Sequence, residues 1–272
     1  MSAAVQKNSG KKSGETVYGD VGTWKQGRVQ IVEIRRPPNN FFDTDLINSI
    51  ADAYDEADAD DAIRAVVLCA AGKHFCSGAD FARRAITDTI EGKGGQHLYK
   101  HASRMMRNRK PVVAAIQGAA IGGGLGVALT ADFRVTCEEA RFSANFVRMS
   151  FHPGFGLTCT LPRLVGTQQA ALLFYTGRRV PGDEAVRLGM AELLVPLSEV
   201  RNAAIAMADD IATSGPLALI STRATVRRGL VDAFETATER ELTEQDWLRK
   251  TADFTEGTKA MGERRPPVFT GK

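Results

Sequence analysis

Two glycine-rich turns, each following a short apolar run, carry the spacing from which chemistry can be built. The first, Gly72-Lys73-His74-Phe75-Cys76-Ser77-Gly78-Ala79-Asp80-Phe81, follows the strand-like segment Ile63 to Ala70. The second, Gly118-Ala119-Ala120-Ile121-Gly122-Gly123-Gly124, follows Lys110-Pro111-Val112-Val113-Ala114-Ala115 and runs into a small-residue helical stretch. Glycine clustered at a strand-to-helix turn lets backbone approach a ligand closely. It also leaves N–H groups free at a helix N-terminus, where the helix dipole favours an anion or a developing oxyanion. Two such turns can aim one N–H apiece at a single oxygen atom, an oxyanion hole in two halves. The simpler reading, that three glycines only permit tight helix packing, stays open from sequence. A phosphate loop does not fit, because the spacing gives neither G-x-G-x-x-G with an acidic residue about 20 positions on nor the Lys-Ser/Thr ending of a P-loop.

Other reactive side chains are weaker signals. His97 and His101 are four apart and could share a helix face, but His97-Leu98-Tyr99-Lys100-His101 lacks the glutamate of H-E-x-x-H and offers no third ligand, so no metal site is expected. Cys76 has no base beside it in sequence and reads as small filler. Asp80 reads as a brace for its own turn through side-chain to backbone hydrogen bonds.

The elements that must hold the turns follow from periodicity. Residues 27 to 36 alternate apolar and polar as a strand does, and Pro37-Pro38-Asn39-Asn40 stops them. Asp43 or Thr44 caps a helix whose apolar positions Leu46, Ile47, Ile50, Ala51 and Tyr54 recur at three and four residues. Residues 64 to 70 form the next strand, and strand, helix, strand implies parallel pairing through a right-handed crossover. The segment ending in Gly92-Lys93-Gly94-Gly95 reads as a mobile loop over the site. A helix is expected from about Gln96 to Arg109, a strand after Pro111, and another over Phe133 to Cys137. From 198 onward the pattern is helical throughout. Residues 1–18 read as a disordered tail, 19–198 as the core domain and 199–272 as a C-terminal helical region.

The chain of 272 residues is 43% hydrophobic and 25% charged, enough for a sizeable core. Its formal net charge of +3 is too small to argue for nucleic acid. No stretch approaches the roughly 20 apolar residues of a membrane span, so no membrane partner is expected. The four cysteines show no C-x-x-C spacing and read as reduced thiols of a cytoplasmic protein.

The two turns together resemble the crotonase (enoyl-CoA hydratase/isomerase) superfamily. Its first motif is similar to Phe75-Cys76-Ser77-Gly78-Ala79-Asp80 and its second to Gly118-Ala119-Ala120-Ile121-Gly122-Gly123-Gly124, and the likeness runs over roughly residues 20 to 271. The resemblance implies an α/β crotonase (ClpP/crotonase-like) fold, a spiral of ββα units making two roughly perpendicular sheets. The C-terminal helical region would then join subunits in a homotrimer or hexamer. It implies an acyl-CoA substrate, with no cofactor beyond the CoA moiety, and gives the oxyanion donors as the N–H groups of Ala79 and Gly123. The backbone of Cys76, Ser77 and Gly78 would meet CoA, with Asp80 and Gly122 adjoining. Arg36 and Lys259 stand among the cations able to meet its phosphates.

The sequence departs from the family where the chemistry is concentrated. The two glutamates of the hydratases fall at Gly126 and Phe146, and neither residue exchanges a proton. Water addition needs one group to take a proton and another to deliver it, so efficient hydration is not expected. An aspartate used elsewhere in the family falls at Gly154. His152 lies in the loop that carries catalytic groups in relatives, and imidazole titrates at about 6.5, which makes it the best single candidate base. The competing reading is a histidine that only supports its loop beside Pro153. Tyr99 either donates to a leaving group or packs, and Ser77, Ser143 and Asn145 complete the polar candidates. Other enolate-linked chemistry (C–C cleavage, thioester hydrolysis or isomerisation), a non-catalytic acyl-CoA binder and a structural subunit all stay open.

Overall fold

Val29–Ile34, Ala65–Ala70 and Val112–Ile116 are runs in which every residue is buried, as strands covered on both faces must be. The computed structural model describes residues 14–79 and 97–272 and joins these runs in one sheet. In chain order the strands are β1 (Thr16–Tyr18), β2 (Val21–Gln26), β3 (Val29–Ile34), β4 (Ala65–Ala70), β5 (Val112–Ile116), β6 (Ala119–Ile121), β7 (Phe133–Thr136), β8 (Arg141–Ser143), β9 (Val180–Pro181) and β10 (Leu193–Leu194). The large sheet has the order β1-β2-β3-β4-β5-β7-β10, antiparallel as far as β3 and parallel beyond it. Its register sets Ile31 beside Val67, Val67 beside Val113 and Val113 beside Phe133. A second, three-stranded sheet has the order β6-β8-β9.

Helices supply the cover. α1 (Thr44–Ala59) is capped by Asp43, whose carboxylate accepts the Leu46 N–H at 2.9 Å, and it lies on β1, β2 and β3. α2 (Leu98–Arg107) packs on α1 with Leu98, Ala102, Met105 and Met106 buried, the face read from periodicity. The remaining helices are α3 (Gly123–Thr130), α4 (Leu157–Val165), α5 (Thr167–Thr176), α6 (Gly182–Arg187), α7 (Val200–Ala212), α8 (Pro216–Val226), α9 (Leu230–Leu248) and α10 (Ala252–Gly262). No single described helix is long and apolar enough to cross a membrane.

Two expected boundaries move. β1 falls inside the stretch read as tail, because a short edge strand rich in polar residues carries little periodic signal. Residues 1–13 lie outside the described residues, as do Asp80 and the glycines at 92, 94 and 95. The line drawn at 198 does not separate a helical appendage from the core either. α7 packs against β3, β4, β5 and β7, burying Val200, Ala204, Ala208 and Ala212, so it belongs to the core layer. Helical periodicity shows that a face is apolar but not which sheet it meets.

Candidate active site

The first turn is stitched to its surroundings by backbone pairing on both sides. Cys76 N–H donates to Ala119 O at 2.9 Å and Ile121 N–H returns to Cys76 O at 3.0 Å, while Phe42 N–H donates to Gly78 O at 3.0 Å. The second turn therefore lies directly against the first. This approach requires glycine at 124, where a Cβ would stand 2.1 Å from Cys76 O, and at 78, where φ is +90° and a Cβ would stand 2.9 Å from Ile121 O. That same Gly78 Cβ would come 4.0 Å from Gly123 N, so the two turns present their backbone side by side. Gly123 opens α3, and its N–H has no partner within the helix. Among the described residues, neither the Ala79 nor the Gly123 N–H donates to any acceptor.

Both groups line one cavity of about 330 Å³. Its walls carry the aromatic rings of Phe41, Phe42, Phe146, Phe151, Phe155 and Tyr99. The ring contacts form a chain. Phe42 meets Phe155 edge to face at 5.5 Å, Phe155 meets Tyr99 at 6.4 Å, and Tyr99 meets His97 at 4.6 Å. Polar groups on the lining are Ser77, Asn145, His97, Gln245 and Thr258, and among the described residues no carboxylate lines it.

At Gly126 and Gly154, two of the positions that the resemblance sets against carboxylates, other side chains fill the space a side chain would need. A Cβ on Gly126 would stand 2.6 Å from Phe155 Cβ and 2.9 Å from its Cγ. A Cβ on Gly154 would stand 2.4 Å from both the Tyr99 hydroxyl oxygen and Gln245 Nε2. The Tyr99 hydroxyl donates to Gln245 Oε1 at 3.2 Å, and Gln245 Nε2 donates to His152 O and Pro153 O at 3.1 and 3.2 Å. Burial holds the Tyr99 hydroxyl far above the ordinary phenol range, so it is a neutral hydrogen-bonding group.

The other expected site residues distribute unevenly. Ser77, Gly78 and Gly122 line the cavity with Ala79 and Gly123. Cys76 is fully buried, and burial pushes its thiol up to about 12, which suits the filler reading. His152 does not line the cavity, and its Nδ1 lies 2.8 Å from Pro153 O, the loop contact that competed with a catalytic role. Arg36 is spent on ion pairs with Asp20 and Asp43 at 2.6 and 2.8 Å, bracing the entry to α1. Lys259 is exposed on α10 beside the lining residues Thr258 and Met261. His101 does not line the cavity, and no cluster of metal-ligating groups occurs among the described residues.

Residues with no sequence signal complete the site, and most come from α9. Glu241 is fully buried and accepts hydrogen bonds from Gly156 N–H at 2.7 Å, Thr158 N–H at 3.0 Å and the Thr158 hydroxyl at 2.6 Å, closing the N-terminus of α4. Burial pushes its carboxyl up to about 7, against the three hydrogen bonds that pull the other way. An unfolded glutamate titrates at about 4.3, so between that value and 7 the folded state holds more protons. Stability is therefore expected to fall as pH rises through this window, and Glu241→Gln should flatten that slope. Urea midpoints at pH 5 and pH 7.5 read it, and an unchanged slope in the variant would remove Glu241 as its source.

The sequence profile of the enoyl-CoA hydratase/isomerase family matches residues 25–272. The chain belongs to that family. A short-chain-enoyl-CoA hydratase of Clostridium acetobutylicum is 36% identical over 216 residues, covering 78% of this chain and 83% of the relative. A crotonyl-CoA hydratase of Syntrophomonas wolfei is 31% identical over 261 residues, covering 94% and 99%. Among solved structures, an enoyl-CoA hydratase/isomerase from Pseudoalteromonas atlantica superposes with a TM-score of 0.84 at 26% identity, covering 92% of this chain and all of that one (100%). A carnitinyl-CoA hydratase from Mycobacterium avium gives 0.83 at 29% identity, covering 94% and 100%. The two-sheet α/β arrangement with its C-terminal helices is thus the crotonase fold, and an acyl-CoA enzyme of the hydratase/isomerase kind is the family's reading of this site.

Proposed function

We propose that the cavity binds the acyl thioester of a CoA substrate, with the Ala79 and Gly123 N–H groups receiving its carbonyl oxygen and stabilising an enolate or tetrahedral anion. Hydration is slow at best. The observation that carries this reading is a pair of unspent backbone donors on an aromatic-lined cavity without a carboxylate among its described lining residues. Donors fixed in advance where charge develops are worth about 3 to 4 kcal/mol each in acyl chemistry. Hydration also needs a proton acceptor and a donor. His97 is the one imidazole on the lining, and its Nδ1 lone pair is taken by the Tyr99 N–H at 3.2 Å. Burial, and then the charge of Arg249, hold it down to about 4, so its neutral ring is a weak proton acceptor. This favours a reaction that draws on the oxyanion site alone, or acyl-CoA binding without turnover, over water addition. A reducing cytoplasm suits four cysteines with no disulfide among them. Trimeric or hexameric assembly suits α8, which leaves Leu217 81% and Val226 67% exposed.

The test gives the purified protein crotonyl-CoA and follows the conjugated thioester absorbance, with thioester binding measured by calorimetry on the same preparation. Binding without rapid loss of absorbance is expected. Ala79→Pro removes one donor where a Cβ is already accommodated. Gly123→Pro is a poorer control, because its Cβ would stand 2.4 Å from Phe42 Cζ. Ala79→Pro should weaken thioester binding or turnover by about 100-fold or more if the carbonyl sits there in the rate-limiting state. Rapid hydration by the parent would overturn the reading. Light scattering of the same sample is expected to return three or six times the chain mass.

A further inference from the structure

Next to two rings of the cavity wall stand donors that nothing among the described residues satisfies. Among the described residues, Arg249, at the C-terminal end of α9, has its Nε and Nη2 buried without a partner, and His97 Nε2 is buried without one as well. The guanidinium lies over the Phe151 ring at 5.9 Å, and its charge is felt by His97. Phe151 and His97 both line the cavity. Among the described residues, Arg249 Nη1 is engaged with Asp246 Oδ1 at 3.3 Å.

The identity of the unpaired atoms says what is missing. Nε–H and Nη2–H lie on one edge of the guanidinium and point the same way, the fork that takes the two oxygens of a carboxylate. His97 Nδ1 accepts from Tyr99 N–H, so the proton of the neutral ring sits on Nε2 and makes it a third donor. Leaving a guanidinium fork dry and unpaired is costly, and native proteins rarely leave buried donors empty. The oxyanion turn is already committed at the other end of the ring chain that runs from Gly123 through Phe42, Phe155 and Tyr99 to His97.

Building on the assignment of the cavity to an acyl-CoA, we propose that the Arg249 fork and His97 Nε2 bind a carboxylate at the far end of the acyl group. The substrates of the site are then CoA thioesters of dicarboxylic acids. Phe151 and His97 line the cavity and the guanidinium lies over the Phe151 ring, so the route proposed for the carboxylate runs past those two rings. The aromatic walls hold the methylene chain between the two polar ends.

Matched pairs of thioesters test this at three chain lengths: succinyl-, glutaryl- and adipyl-CoA against 4-methylpentanoyl-, 5-methylhexanoyl- and 6-methylheptanoyl-CoA, which replace the terminal carboxylate by two methyl groups of similar shape. At one length or more, the dicarboxylic member should bind about tenfold or more tightly than its partner, the advantage of a charge-assisted pair. Arg249→Met should erase that preference while binding of the branched partner stays within about twofold, which also reports that the variant is folded. If Arg249→Met does not fold, Arg249→Lys keeps the charge without the fork and should lose most of the preference. No preference at any length, or a preference that survives in both variants, overturns the carboxylate site and leaves the acyl-CoA reading intact. If no thioester of either kind binds, the acyl-CoA reading fails and takes this proposal with it.

Discussion

Gly126→Glu is expected to yield a protein less stable by about 3 kcal/mol or more and no faster as a hydratase than the parent. The substitution puts a carboxylate where the family resemblance expects one, but Phe155 occupies the space. Phe155 is 1% exposed, sits at φ +61°, and is held between Phe42 and Tyr99 by edge-to-face contacts. A Cβ at 126 would already overlap it, with 2.6 Å between the two Cβ atoms. The ring would have to leave a packed wall, or the glutamate would push α3 away from the turn it completes. A double-mutant cycle with Phe155→Ala separates the causes. Phe155→Ala alone should cost about 3 to 5 kcal/mol as a cavity, and the double variant should cost less than the two single changes together. Denaturant midpoints and crotonyl-CoA assays on the four proteins are sufficient. A Gly126→Glu protein as stable as the parent would mean that Phe155 moves aside freely, and the closed position would lose its explanatory role.

Asp132→Ala should produce the largest loss of stability of any single polar substitution outside the cavity, about 3 to 5 kcal/mol. Asp132 receives Arg223 at 2.9 Å and Arg227 at 2.8 Å, and it accepts the Val112 N–H at 2.8 Å. Both arginine side chains are under 10% exposed, at 9% and 8%. Removing the carboxylate strands two cations near the end of β5 and frees α8 and the segment leading into α9 from the sheet. Asp132→Asn keeps the shape and some hydrogen bonds and should lose less. Burial by itself would raise the Asp132 carboxyl, but the two arginines hold it below the ordinary range. An aspartate with a depressed folded pKa stabilises above its unfolded value of about 3.9 and loses that contribution as pH falls through the folded one. The stability gap between parent and Asp132→Ala should therefore be full at neutral pH and shrink in acid below about pH 4. A gap that stays constant into that range would show that the loss comes from packing and not from the charge.

Much of this protein was legible from residues close together in the chain. The two glycine turns, the strands before them, the Asp43 cap and the buried face of α2 are all local patterns. A turn that must bring backbone to an oxygen selects small residues, and a covered strand or helix face repeats its apolar positions. The absence of side-chain carboxylates at 126, 146 and 154 was also plain, since it needs only the residue names and the family resemblance. What filled those places was not. Phe155 against Gly126 is a contact across a loop, and Tyr99 with Gln245 against Gly154 joins α2 to α9 across 146 positions of sequence. His152 was chosen by its place in a loop, but the fold turns its Nδ1 to Pro153 O and gives the lining to His97. Glu241 and Arg249 looked like ordinary surface charges on a helix of mixed composition. Burial decides what such groups do, and burial depends on which distant element packs against them. Periodicity fixes the hydrogen-bonded elements because their partners are near in sequence, whereas the character of the cavity comes from side chains that meet only after every element has docked.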